Sequence, residues 1–207
     1  MIKIATSILN AEDRADSIIK LNKTSTDYIH IDVMDGKFVP NYQLQTNEVI
    51  NLAKLSQKPF DVHLMVEDPE IYIKKLNTKN IKAITIHIEI KKDIEYLINL
   101  IKSYNYDVGL AIKPNTDINL LNPYLHKIDK IIVMSVEPGF GGQKFIENTT
   151  TLITAIKNKQ ANVLIEVDGG INKETIDKIK YIADIAVVGS YITNNLNYEE
   201  AINSLKN

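Results

Sequence analysis

Short runs of β-branched and apolar residues recur along this chain, and between them apolar positions fall at helical spacing. The runs at 2–6, 28–33, 60–65, 83–87, 107–112, 130–135, 163–167 and 184–188 read as eight strands. Several are apolar with little alternation, as expected of strands covered on both faces. Helices are predicted over 12–21, 47–55, 69–76, 91–103, 144–157, 173–182 and 198–205. Within them Ile94, Leu97, Ile98 and Ile101 form an i, i+3, i+4, i+7 stripe. Pro69 behind Asp68 fits a first-turn proline after an acidic N-cap. The segment 117–124 carries the weakest helical pattern. Strands alternating with helices in regular units predict an α/β fold, a single (β/α)8 TIM barrel, with residues 1–207 as one domain. A doubly wound open sheet is the alternative, but it would not need eight such units.

The barrel reading turns sequence position into location, because active sites in this fold lie at the C-terminal strand ends. Ser7, His30, Asp32, His63, His87, Lys113, Asp168 and Ser190 all fall there. His30 and Asp32 are two apart on one strand and point the same way. With His63 and Asp168 they bring two imidazoles and two carboxylates from three strands. Such a set can hold one divalent metal, or leave two carboxylates poised for proton transfer. Burying it costs heavily unless the groups are paired or coordinated. The donors suit Zn²⁺, with Fe²⁺, Mn²⁺ or Co²⁺ as alternatives. Spacing alone leaves a metal centre and a paired structural cluster both open. His87 either supports the site from behind or faces substrate. Asp61 and Glu166 fall deeper on the inward face as structural partners, Asp35 reads as a turn residue, and His126 lies outside the pattern.

Glycine-rich loops change the picture next. Gly139-Phe140-Gly141-Gly142 follows the sixth strand, Gly169-Gly170 the seventh and Gly189-Ser190 the eighth. Glycines let backbone N–H groups approach an anion closely, and barrels often bind phosphate with the loops after strands seven and eight. Arg14 is the only arginine, so a bidentate guanidinium clamp is nearly unavailable and a backbone cradle is expected. Met34, Met65 and Met134 each sit near a strand-end motif; singly they read as core filler, together as a cap over a reacting centre. A net charge of -2 gives no basic field for nucleic acid or anionic membrane. The absence of cysteine excludes disulfides, thiolate metal sites and cysteine nucleophiles. Neither a signal-peptide layout nor an apolar stretch of membrane-span length is found, so no membrane partner and a cytoplasmic location are expected.

These motifs resemble those of the ribulose-phosphate 3-epimerases. The matching segments are Ser7-Ile-Leu, His30-Ile-Asp-Val-Met-Asp-Gly, Phe38-Val-Pro-Asn41, Asp61-Val-His-Leu-Met-Val66, Gly109-Leu-Ala-Ile-Lys-Pro114, Val136-Glu-Pro-Gly-Phe-Gly-Gly-Gln143, Glu166-Val-Asp-Gly-Gly-Ile171 and Gly189-Ser190. They run in order along essentially the whole chain. The resemblance implies a TIM barrel of the phosphate-binding type, a homo-oligomeric, metal-dependent isomerase that epimerises D-ribulose 5-phosphate to D-xylulose 5-phosphate at C3. It implies a metal, usually zinc, on His30, Asp32, His63 and Asp168, with Asp32 accepting and Asp168 donating the proton through a metal-stabilised enediolate. It also implies substrate contacts at Ser7, His63, Gly139, Phe140, Gly141, Gly142, Asp168, Gly169, Gly170, Gly189 and Ser190. Lys37, Gln45-Thr46 and Glu12-Asp13 depart from the family pattern and bear on loop geometry and subunit contacts rather than chemistry. Two rivals are a 3-epimerase for a hexulose phosphate such as D-allulose 6-phosphate, and a non-catalytic sugar-phosphate-binding barrel or metal-free synthase. A metal-dependent hydrolase would more often begin with His-x-His on strand one, which is absent here.

Overall fold

The computed structural model describes residues 1–159 and 162–206. Its strands are β1 (Lys3–Ser7), β2 (Tyr28–Asp35), β3 (Tyr42–Gln43), β4 (Phe60–Met65), β5 (Ile81–His87), β6 (Asp107–Ile112), β7 (Lys130–Met134), β8 (Leu164–Asp168) and β9 (Ile185–Val188). Eight of them are parallel, and β1 pairs with both β9 and β2, so the sheet closes into the expected barrel. The two-residue β3 was not foreseen; it turns back antiparallel on the end of β2, pairing Met34 with Gln43.

Around the barrel run α1 (Arg14–Leu21), α2 (Thr46–Ala53), α3 (Pro69–Lys75), α4 (Ile94–Ser103), α5 (Thr149–Lys157), α6 (Ile176–Ile179), α7 (Ser190–Thr193) and α8 (Tyr198–Lys206). Several differ from the sequence expectation, each for a local reason. The helix expected from 91 begins at Ile94, because the Asp93 side chain accepts from Tyr96 N and caps it. The one expected from 144 begins at Thr149, since Ile146 N bonds back to Ser135 O and the preceding chain is loop. The 173–182 helix shrinks to α6, with Asn172 and Thr175 side chains binding loop amides ahead of it. The weak 117–124 segment is a 3-10 turn over Ile118–Leu121. Pro69 does open α3, but Asp68 makes no capping bond; its carboxylate pairs instead with Lys92 Nζ at 3.0 Å.

Strand parity sorts the side chains. Ile31, Val33, Val62, Leu64, Ile84, Ile86, Leu110, Val133, Ile165 and Val167 point outward. They are fully buried with Ile18, Leu21, Ile73, Ile98, Ile101 and Ile153 of the helices. Each such side chain contributes about 1.5–3 kcal/mol relative to exposure. The inward set is strongly polar. Lys130 of β7 is 4% exposed; its ammonium donates to Asp61 Oδ1 of β4 and, at 2.6 Å, to Glu166 Oε2 of β8. Gly109 makes room for it, since a Cβ there would stand 3.0 Å from Lys130 Cε and 2.1 Å from Thr85 Oγ1. This ionic plug fills the lower barrel and supports the layer above it.

Candidate metal and acid–base site

Directly above the plug, at the C-terminal strand ends, His30, Asp32, His63 and Asp168 meet. One donor atom from each lies within 4.8 Å of the others. Pairing of β2 with β4 sets Asp32 opposite His63, and Asp168 ends β8. His30 Nε2 is 3.4 Å from Asp32 Oδ1 and 3.8 Å from Asp168 Oδ2. His63 Nδ1 is 3.7 Å from Asp32 Oδ1 and 3.4 Å from Asp168 Oδ2. Both of these ring nitrogens are buried and, among the described residues, without a hydrogen-bond partner.

Each histidine is held from behind through its other nitrogen. His30 Nδ1 lies 3.2 Å from Asp61 Oδ2 and 3.4 Å from Glu166 Oε1, which ties it to Lys130. His63 Nε2 lies 3.0 Å from His87 Nε2, and His87 Nδ1 lies 2.9 Å from Glu89 Oε2. Asp32 is steadied by Ser7, whose hydroxyl donates to Oδ2 at 2.8 Å. Asp61 and Glu166 therefore sit where strand spacing placed them, beneath the site.

The electrostatics favour positive charge here. Burial opposes a charge on His30, yet Asp32, Asp61 and Glu166 hold its pKa well above the ordinary imidazole value. Burial likewise opposes charge on His63, and Asp168 and Asp32 outweigh it. Burial alone would raise the Asp32 carboxyl; His30 and His63 keep it well below the usual carboxylate range. His87 behaves differently: burial pushes it down to about 4, so it is neutral near pH 7. Burial opposes ionisation of Glu89, but His87, Lys113 N–H and Thr116 hold it at about 2. Two carboxylates facing two unpartnered imidazole nitrogens in a buried pocket fit one divalent cation with mixed nitrogen and oxygen donors.

A cavity of about 690 Å³ opens over this cluster. Ser7, Asp32 and Asp168 form its floor with Met34, Met65 and Met134, and Gly139–Gly142, Gly169, Gly170, Gly189 and Ser190 line its wall. Sequence reasoning thus selected residues that do converge. His30 and His63 are fully buried and do not themselves line the cavity. Arg14 is not itself in the lining; its guanidinium donates to Glu48, to Gln43 and, at 3.3 Å, to the carbonyl of the lining residue Leu9. The glycine loops thus face the cavity without a guanidinium.

Some of the lining went unread. Asn10 reaches over from the β1–α1 loop, donating to Ser190 Oγ at 3.2 Å; outside the lining, Asn41 donates to Gly139 O at 3.0 Å. No spacing rule marks a lone loop asparagine. Asp35 is the turn residue expected, accepting from the Lys37, Phe38 and Glu67 amides. His126 is exposed. The departures have local partners: Asp13 caps α1, and Gln45 Nε2 donates to Met34 O at 3.0 Å.

Residues 3–193 match the Ribulose-phosphate 3 epimerase family. The ribulose-phosphate 3-epimerase of Bacillus subtilis is 36% identical over 214 residues, which cover all of this chain and 99% of that protein. The same-named protein of Methanocaldococcus jannaschii is 36% identical, covering all of this chain and 90% of that one. A rice relative, the cytoplasmic isoform, is 34% identical over 99% of this chain and 92% of its own. Among solved structures, KGPDC from Streptococcus mutans superposes with a TM-score of 0.76 at 13% identity, covering all of this chain and 96% of that one. That last likeness shows the barrel fold alone.

Proposed function

The chain belongs to the ribulose-phosphate 3-epimerase family and is an isomerase, and from that premise we propose that it interconverts D-ribulose 5-phosphate and D-xylulose 5-phosphate, with Asp32 and Asp168 moving the proton at C3. The observation that carries this reading is the pair of buried, unpartnered nitrogens, His30 Nε2 and His63 Nδ1, facing both carboxylates. Zinc suits the donor set, and when bound it supplies positive charge that stabilises the enediolate formed when the C3 proton leaves.

Epimerisation removes a proton from one face of a carbon and returns one to the other, so it needs two proton carriers on opposite sides. Asp32 and Asp168 come from strands that β1 and β9 separate in the barrel wall. Asp32 takes the proton on one side, fixed by Ser7, and Asp168 delivers one on the other, the roles reversing in the return direction. The three methionines cover the floor with apolar surface and restrict water around the reacting carbon. Backbone N–H groups of the 139–142, 169–170 and 189–190 loops receive the phosphate. Residues 1–207 act as one domain in this reading. A cytoplasmic location is supported by the name of the rice relative; no helix among the described residues is long and apolar enough to cross a membrane.

The test is epimerisation of D-ribulose 5-phosphate in D₂O, with metal analysis before and after chelator treatment. The wild type is expected to incorporate deuterium at C3. Asp32→Asn and Asp168→Asn should each lower kcat by at least ~10²–10⁴-fold, the usual worth of a positioned acid or base, with the fold intact. Near-wild-type turnover in either variant would remove that aspartate from the mechanism.

A further inference from the structure

Behind His63 lies a hydrogen-bonded chain that the proposed reaction does not use. An imidazole that offers its Nδ1 lone pair to a cation must carry its proton on Nε2. His63 Nε2 faces His87 Nε2 at 3.0 Å. That contact is a hydrogen bond only if His87 keeps Nε2 bare and carries its own proton on Nδ1. His87 Nδ1 in turn faces Glu89 Oε2 at 2.9 Å, and an ionised carboxylate only accepts. Starting from Glu89, a single assignment of protons satisfies every contact in neutral rings, and it ends with a lone pair on His63 Nδ1. Glu89 is not free to turn away, because its Oε1 accepts from Lys113 N–H at 2.7 Å and from the Thr116 hydroxyl. The rings are fixed too: His63 and His87 stack at 4.9 Å, and Phe38 lies 4.7 Å from His87.

We propose that Glu89, acting through His87, is a positioning residue that sets the tautomer of His63 and thereby the affinity of the site for a divalent cation. The inference rests on the metal reading given above and deepens it. Glu89 does not touch the cation site; it reaches it through two rings. The loop after β6, which carries Lys113 and Thr116, is thereby linked to metal binding across the barrel.

Glu89→Gln tests this, because an amide cannot accept at both ends. If its NH₂ faces His87, Nδ1 must accept, and the proton order reverses as far as His63. If its NH₂ faces Lys113 instead, two donors oppose each other. Zinc affinity measured by chelator competition should fall roughly 10–100-fold, the usual effect of removing an outer partner of a ligating histidine. Nitrogen-15 spectra of the zinc-loaded wild type should show Nε2–H on His63 and Nδ1–H on His87, a readout that needs no variant to fold. A proton on His87 Nε2, or unchanged zinc affinity in a folded Glu89→Gln protein, overturns the inference alone. A wild type that takes up no zinc overturns the metal reading and this inference together.

Discussion

Lys130 is a buried charge whose partners are themselves buried acids. Its ammonium is held between Asp61 and Glu166, and although burial favours its neutral form, these two carboxylates raise its pKa. Burial and the neighbouring Asp61 charge push Glu166 in the opposite sense from an ordinary ion-pair partner, upward. Removing one partner of a buried ionic group leaves an uncompensated charge, at a cost of about 3–5 kcal/mol. Lys130→Met keeps much of the volume and removes the charge, so urea unfolding should show a loss of that order. A loss below about 1 kcal/mol would mean that a proton on Glu166 replaces the ammonium. The sequence exposes only half of this arrangement. Asp61 and Glu166 are legible because they stand two residues before His63 and Asp168 on the same strand faces. Lys130 is not, because a lysine opening a strand ordinarily extends to solvent; here it points inward, packed beside Gly109.

At the level of elements, strands were more legible than helices, and the reason is physical. A strand covered by helices needs a short apolar run, and its inward polar residues then fall into register through parity. Helix starts depend instead on capping bonds and loop contacts. Asp93 moves one start to Ile94, and the Ile146–Ser135 backbone bond delays another to Thr149. The glycine loops were legible as a group, but what fixes them is tertiary. Gly170 has φ +63, and a Cβ there would meet Phe145 N at 2.6 Å and Gln143 O at 2.9 Å. Those atoms are backbone, so the β7–α5 loop must move to accept a side chain. Gly170→Ala should therefore disturb two cavity-lining loops together while leaving Asp32 and Asp168 in place. The expected result is a KM for ribulose 5-phosphate raised about 10-fold or more, equivalent to one lost hydrogen bond to a charged group. In the proposed reading these loops hold the phosphate, which does not react, so kcat should change less than KM. An unchanged KM would remove the 169–170 loop from the cradle.

For the whole molecule, the metal reading implies that one small site bears on the stability of the entire barrel. The interior stacks two charged layers: the Lys130 plug below, complete within the protein, and the His30, Asp32, His63 and Asp168 layer above, with two ring nitrogens unpartnered. The upper layer ties the neighbouring strands β2 and β4 to β8 on the far side of the closed sheet. A cation that bridges them binds the folded chain far better than the unfolded one, because the four donors converge only when the barrel is closed. Stabilisation by such a ligand follows mass action and reaches about 2.7 kcal/mol at a hundredfold excess over Kd. For a chain of this size about 1 kcal/mol corresponds to roughly 2–4 °C in Tm. Zinc added to chelator-treated protein should therefore raise Tm by roughly 5–11 °C at that excess. The rise should continue with the logarithm of zinc concentration rather than saturate. His30→Ala should abolish most of the shift by removing one of the four donors. A Tm that does not respond to zinc, in a chelator-treated protein that epimerises at full rate, would mean that the four side chains are a hydrogen-bonded cluster and the proton transfer needs no cation.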